Sequence, residues 1–359
     1  MGVMKGKIGG LLVLCLGLLL VAGGLVLKFA VLPAMAVWPD DVDSTRTYEG
    51  TLVTMLNPEA LATGDLANIF VSDVPVSVDR HVTTEQVDGN QALVREQVQA
   101  RGPDGELIPG LQTDADGQHT TYWYTIDRKT TEEIPNFTDN PNVDDNRQGL
   151  VIGFPIGTEK RDYEGWSDDL QRLEPVEYVG AEEHEGITTY HFTAESGPQP
   201  LLDPMLLAMF PESMPKSVVQ GLAPQLGLSE DLMVQFAQLL PLLPDPIPFT
   251  YLYEYATEYW VEPATGMIID YTKDESRILA IEVDPSIVPM GMVPVGDVFH
   301  LIYEQSDQSI ADAREEAEDS KGTIDLFGTI IPYAAIGVGA LLILGGAFLM
   351  SRKREETAA

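Results

Sequence analysis

The sequence predicts an α+β protein: a mainly antiparallel β extracellular domain with an inserted apolar helical segment, flanked by two transmembrane helices. Three observations carry this. Uncharged apolar runs cover residues 8–27 and 330–350, each about the 20 residues that an α-helix needs to cross a bilayer core. Between them lie short β-branched and aromatic segments punctuated by Gly, Asp and Asn turns. Residues 201–245 then break the pattern with Leu, Met and Pro in place of charge.

The N-terminal run gives a cytoplasmic stub at 1–7 and a first span at 8–32. Lys5 and Lys7 precede it, and Arg352, Lys353 and Arg354 follow the second span at 330–350. Basic flanks stay cytoplasmic. The expected topology is therefore a two-pass plasma-membrane protein with both termini inside, a tail at 351–359 and the main domain outside. Lys28 is the one basic residue on the other flank, where its stem reaches the interface. A signal peptide cleaved after Ala34-Met35-Ala36 is the competing reading. The apolar stretch of 20 residues before Lys28 exceeds the roughly 7–15 of a secretory h-region, so an anchor is favoured.

Of the 21 Lys and Arg, 15 fall in residues 39–326, against 54 of the 56 Asp and Glu. Acidity spread along the whole domain reads as a solvated surface, with cation capture as the alternative. Nucleic acid is excluded as a partner, because phosphate contacts need clustered Lys and Arg. Cys15, within the first span, is the only cysteine. An internal disulfide and a Cys-ligated metal are thereby excluded.

The β-rich domain occupies 39–308. Residues 74–82 alternate apolar and polar, Asp88-Gly89-Asn90 turns, and residues 92–98 return. Residues 121–127 form a further strand. The second portion offers strands at 187–192, 249–255, 257–262 and 267–271, the last two joined by Pro263-Ala264-Thr265-Gly266. Tyr122-Trp123 and Tyr259-Trp260 recur in similar surroundings, which points to two related meanders. Residues 309–326 read as a polar stalk helix.

In the insert, Asp203-Pro204 is an N-cap and N1 pair, and Ser229 opens a second helical stretch. Met205, Met209, Phe210, Leu232, Met233, Phe236, Leu240 and Leu243 make an apolar lid over a ligand in one reading and plain core in the other.

Little chemistry stands out. His184 and His191 lack a ligand spacing, and residues 139–146 lack the order of a calcium loop. No metal or cofactor is expected. Asn136-Phe137-Thr138 makes Asn136 the candidate glycosylation acceptor. With no catalytic motif present, an enzyme is not expected.

The stretches Gly149-Leu150-Val151-Ile152-Gly153-Phe154-Pro155-Ile156-Gly157-Thr158-Glu159-Lys160-Arg161-Asp162-Tyr163-Glu164-Gly165-Trp166, Pro175-Val176-Glu177-Tyr178-Val179-Gly180 and Tyr190-His191-Phe192 resemble the porin PorA-like family. These are two-span membrane proteins, mainly actinobacterial and largely of unknown function. The resemblance covers nearly the whole chain and implies its anchors, β-rich domain and C-terminal span.

Three functions follow as expectations. The first is a cell-envelope protein whose domain binds an apolar ligand such as a lipid, which predicts a cavity of a few hundred Å³ or more. The second is a structural protein docking a protein or cell-wall component, which predicts a filled core and an exposed apolar patch. A pore comes third, since a β-barrel pore needs an unbroken lipid-facing side. The membrane is a partner in all three, and the sequence leaves the oligomeric state open.

Overall fold

The computed structural model describes residues 2–222, 230–283 and 291–351. The basic residues at 352–354, most of the tail and the capping Ser229 lie outside the described residues, as do the side chains of Leu232 and of residues 2–7. The chain divides into two compact units, one of residues 1–37 and 315–359 and the other of 38–314.

In the first unit, α1 (Gly2–Val26) runs through a π-turn at Leu27–Val31 into α2 (Leu32–Met35). It packs antiparallel to the C-terminal helix (Ile331–Ser351). The stretches Ile8–Ala34 and Asp307–Ser351 are long and apolar enough to cross a membrane. Small residues at seven-residue spacing form the seam: Gly10, Gly17 and Gly24 face Gly346, Gly339 and Pro332. A Cβ on Gly17 would stand 2.5 Å from the Gly339 carbonyl oxygen, and one on Gly346 2.7 Å from that of Gly10. The backbones touch, as membrane helices do when packing rather than hydrophobicity drives association. Of the four C-terminal glycines that could support helix contact, Gly339 and Gly346 do so; Gly337 and Gly345 meet nothing within 4 Å. Lys28 places its ammonium 4.0 Å above the Tyr333 ring.

The second unit is one curved antiparallel sheet of eleven strands among the described residues. In chain order these are β1 (Asp43–Leu56), β2 (Phe70–Asp88), β3 (Gln91–Arg101), β4 (Thr120–Asp127), β5 (Tyr163–Ser167), β6 (Arg172–His184), β7 (Ile187–Pro200), β8 (Ser213–Met214), β9 (Ile247–Glu262), β10 (Met267–Glu282) and β11 (Met292–Gln305). The lateral order is β4-β3-β2-β1-β11-β10-β9-β7-β6-β5, with β8 on β9. Two meanders are thus joined where the first strand meets the last, with Tyr48 opposite Gln305 and Leu52 opposite Leu301. The segments at 249–255 and 257–262 are one continuous strand. The two Tyr-Trp segments take different places: β4 ends the sheet, while β9 lies inside it between β7 and β10.

The sheet is a half-barrel, and the loop from β4 to β5 bridges its edges at one point. Ile126 pairs with Glu133, Glu132 with Leu150, and Leu150 with Gly165 of β5. Gly149 adopts φ +67°, and a Cβ there would lie 2.5 Å from the Glu164 carbonyl oxygen. Only glycine fits both demands. The loop then drops Leu150 and Phe154 into an aromatic cluster with Tyr163 and Phe192. At the other end α3 (Pro58–Thr63) follows β1, and the insert forms α4 (Pro204–Leu207), α5 (Lys216–Leu222) and α6 (Glu230–Leu239). Val219, Leu222 and Phe236 pack with Ile247, Tyr251, Leu279 and Val298 in the main core. A polar helix begins at Asp307, where the Thr47 amide donates to Ser309 Oγ at 2.8 Å.

Two expectations follow. Replacing Gly17 with Leu should force the seam apart and cost about 1–3 kcal/mol. The same change at Gly9 or Gly23, which meet nothing within 4 Å, should be tolerated; thermal melts of the full chain in detergent compare the three. The second concerns Glu133, whose Oε1 accepts from the Thr125 amide and hydroxyl while Oε2 is buried with no hydrogen bond. Burial pushes this carboxyl up to about 7, from an ordinary 4.5. Between those values the folded protein holds the extra proton, so stability falls as pH rises through the window. Glu133→Gln should remove that slope, so its melting point should gain on wild type from pH 5 to pH 8, by up to about 3 kcal/mol in stability.

Candidate functional cavity

The concave face of the half-barrel encloses a cavity of about 490 Å³. Strand geometry fills its wall, since side chains two apart share a face. On β10 the inward set is Tyr271, Lys273, Glu275 and Arg277; on β9 it is Tyr253, Tyr255, Thr257 and Tyr259. β3 contributes Glu96, Val98 and Ala100, β4 contributes Tyr122 and Tyr124, and β2 contributes Val78 and Arg80.

The cations on this wall are held by carboxylates. Arg277 Nε and Nη2 donate to Asp169 Oδ1 at 2.9 and 2.8 Å, and Lys273 Nζ lies 3.1 Å from Glu275 Oε2. Arg80 is bonded to Glu96 and also donates to the Ile152 carbonyl at 3.3 Å. Behind the wall, Arg147 Nε donates to Asp168 at 2.9 Å, and the Arg147 Cζ lies 4.8 Å from the Tyr124 ring centroid. Arg172 pairs with Glu174. Tyr253 and Tyr124 donate hydroxyl hydrogen bonds to Glu275 and Glu96, each at 2.9 Å.

These contacts keep the network ionised inside the protein. Burial opposes the charged form of Glu275, but Lys273 and Arg277 outweigh it and hold the carboxyl below its usual range. Burial would likewise depress Lys273, yet Glu275 raises it well above an ordinary lysine. At Asp169 burial prevails over Arg277 and the carboxyl is raised. Tyr253 and Tyr271 are raised by burial and stay neutral. Burying ion pairs stabilises a fold little compared with apolar packing of the same volume.

The apolar side of the cavity comes partly from the insert: Leu206, Met209 and Phe210, facing Met55, Leu56 and Phe299. The eight lid residues read from the sequence separate here. Met209 and Phe210 line the cavity, Met209 being 41 % exposed, and Phe210 stacks on Tyr251 at 4.7 Å. Met205 points to solvent. Phe236 and Leu243 are buried in the main core, with Met233 and Leu240 half-buried against it. The Leu232 side chain is outside the described residues. Asp203 caps α4, accepting from the Met205 and Leu206 amides at 2.7 and 3.2 Å.

Sequence reasoning passed over the ionic wall. Its trace was the Lys-x-Glu-x-Arg spacing of residues 273–277, complementary charges on one strand face. Charged neighbours such as Asp274 on the other face concealed it.

The remaining candidates lie elsewhere. His184 and His191 both stack on Trp260, at 4.4 and 4.8 Å, with His184 2.7 Å from Asp270. Among the described residues, Asp114, Asp116 and His119 come close enough together to share a cation, but both Asp114 oxygens already accept from Thr121. Side chains at 139–146 cap local turns, as Asp144 does for the Asn146 amide. Asn136 Nδ2 donates to the Asn140 carbonyl at 3.0 Å.

Two solved structures align over most of the chain at low similarity. A MaoC domain dehydratase from Chloroflexus aurantiacus aligns with 10 % identity over 81 % of this chain and 80 % of its own, at a TM-score of 0.14. An acyl-CoA thioesterase II, TesB2, from Mycobacterium marinum gives 12 % identity, 80 % and 89 % coverage and a TM-score of 0.12. Neither value supports a shared fold. By sequence, Porin PorA of Corynebacterium resistens is 22 % identical, over 94 % of this chain and 97 % of that protein. The family model described as Porin PorA matches residues 9–348. With its apolar helices and this match over most of its length, the chain is a membrane-associated protein that belongs to the PorA porin family.

Proposed function

We propose that the protein is a membrane-anchored cell-envelope protein whose half-barrel domain holds an apolar or amphipathic ligand such as a lipid. The observation that carries this reading is the cavity of about 490 Å³, within the roughly 300–1,000 Å³ usual for small-molecule sites. A purely structural domain gains nothing from such a space, since an unfilled interior forfeits packing. The wall is amphipathic rather than apolar throughout, which suits a ligand with a polar end and an apolar end. Positive residues at both chain ends support cytoplasmic termini and an extracellular domain.

The insert is the proposed point of entry. Among the described residues of 38–314, five of the seven exposed large apolar side chains are in it: Leu202, Met205, Met209, Val234 and Leu242. Binding rather than catalysis fits the cavity wall, because carboxylates such as Glu275, Glu96 and Asp168 are already engaged by cations.

A porin-like activity is the second reading, and the family's description favours it. The glycine seam leaves no room for water between α1 and its partner helix, so a conducting path would need several copies. A planar bilayer with the purified protein tests this: stepwise conductance would support a pore, and a silent membrane would count against it.

The binding reading predicts a stoichiometric lipid when the full chain, purified from its own membranes, is weighed by native mass spectrometry. A clean apo mass would sink it. Met209→Asp, at the exposed rim, should cut the lipid-bound fraction while shifting stability by no more than about 0.5 kcal/mol. Phe236→Asp should instead destabilise the domain by roughly 3–5 kcal/mol from lost packing alone, because that side chain is core.

A further inference from the structure

The charge balance of the cavity wall narrows the class of ligand. Resting on the binding reading above, we infer that the ligand's polar end is an uncharged, hydroxyl-rich head group, a sugar or polyol carried on an apolar tail. The cavity is lined by the cations Arg80, Lys273 and Arg277 and by six carboxylates. A phosphate or sulfate head needs a cation whose charge is not already balanced, and these three are paired with Glu96, Glu275 and Asp169. An incoming anion would also meet those carboxylates, and like charges brought together cost affinity. A cationic head would find five of the six carboxylates already paired with Arg or Lys, and Asp203 engaged in capping α4.

What the wall holds in reserve is neutral. The hydroxyls of Tyr122, Tyr255 and Tyr259 line the cavity and make no hydrogen bond among the described residues. Each can donate once and accept as well, the pairing that ligand hydroxyls require. Burial raises all three above an ordinary tyrosine, so they remain protonated donors at any physiological pH. Their ring faces are electron-rich and suit the C–H face of a sugar ring. Beside them, Leu206, Met209 and Phe210 supply the apolar side for a tail.

The test is calorimetric titration of the full chain, held in an amphipathic polymer, with n-octyl β-D-glucoside and with n-octyl phosphate below their micellar concentrations. Both carry the same tail, so the head alone differs. The glucoside should bind at least about tenfold more tightly. Tyr255→Phe and Tyr259→Phe should each weaken it by about three- to tenfold, the loss of one neutral hydrogen bond, and leave octyl phosphate unchanged. Both variants remove only hydroxyls without partners, so their melting points should match wild type. Phosphate binding as tightly as glucoside would overturn the head-group assignment while the binding reading stands. Glucoside affinity unmoved by both variants would overturn the role of the hydroxyls. Binding of neither amphiphile would overturn the binding reading itself.

Discussion

The pairing of β1 with β11 is the constraint on which the rest of the domain depends. It joins two meanders that are far apart in sequence and turns them into one curved sheet. Local hairpins alone would leave two separate sheets with exposed edges, each open to pairing with another chain. Once joined, the sheet has a concave face, and the alternate residues of its strands converge there. The loop from β4 to β5 depends on the same curvature, because Leu150 can reach both Glu132 and Gly165 only when the outer strands approach each other.

The interior so formed is unusual in being only partly filled with apolar side chains. Toward the insert it is ordinary core, where Ile247, Tyr251 and Leu279 pack on α5 and α6. Toward β4 and β10 it is ionic, with cations and carboxylates locked in pairs. Such groups are costly in a core and are tolerated here because each cation lies against a carboxylate. The domain therefore spends packing on a space whose polar and apolar sides are set by different parts of the chain: the strands supply charge and tyrosine, and the insert supplies methionine, leucine and phenylalanine.

The helix pair follows a separate logic. Its seam is made by what is missing: glycines at 10, 17 and 24 against 339 and 346 let the backbones meet. The seven-residue spacing is visible in the sequence, and of the four C-terminal glycines only Gly339 and Gly346 share it, but the spacing does not say that this face meets α1. The outcome bears on the proposed function, since two helices in backbone contact enclose nothing by themselves.

By itself the sequence determined the parts set by local chemistry. Twenty-residue apolar runs must be helices in a membrane, because only intrachain hydrogen bonds satisfy the backbone there. Strand alternation, the Asp203-Pro204 cap and the glycine turns are likewise local, and they gave most strands and the insert's helices. Resemblance at residues 149–166 gave the family. What only the tertiary structure decided is whatever depends on which distant face meets which. β11 was missed because Pro294 and Gly296 interrupt its alternation, and it is recognisable only beside β1 and β10. Phe236 and Met209 share an apolar character in sequence, but one is core and the other cavity rim. Lys273, Glu275 and Arg277 lie beyond the strand read at 267–271, and their spacing says that they would share a face and not that the face is closed over by Asp169, Tyr253 and Phe299. Burial is a property of the assembled sheet, and no local pattern encodes it.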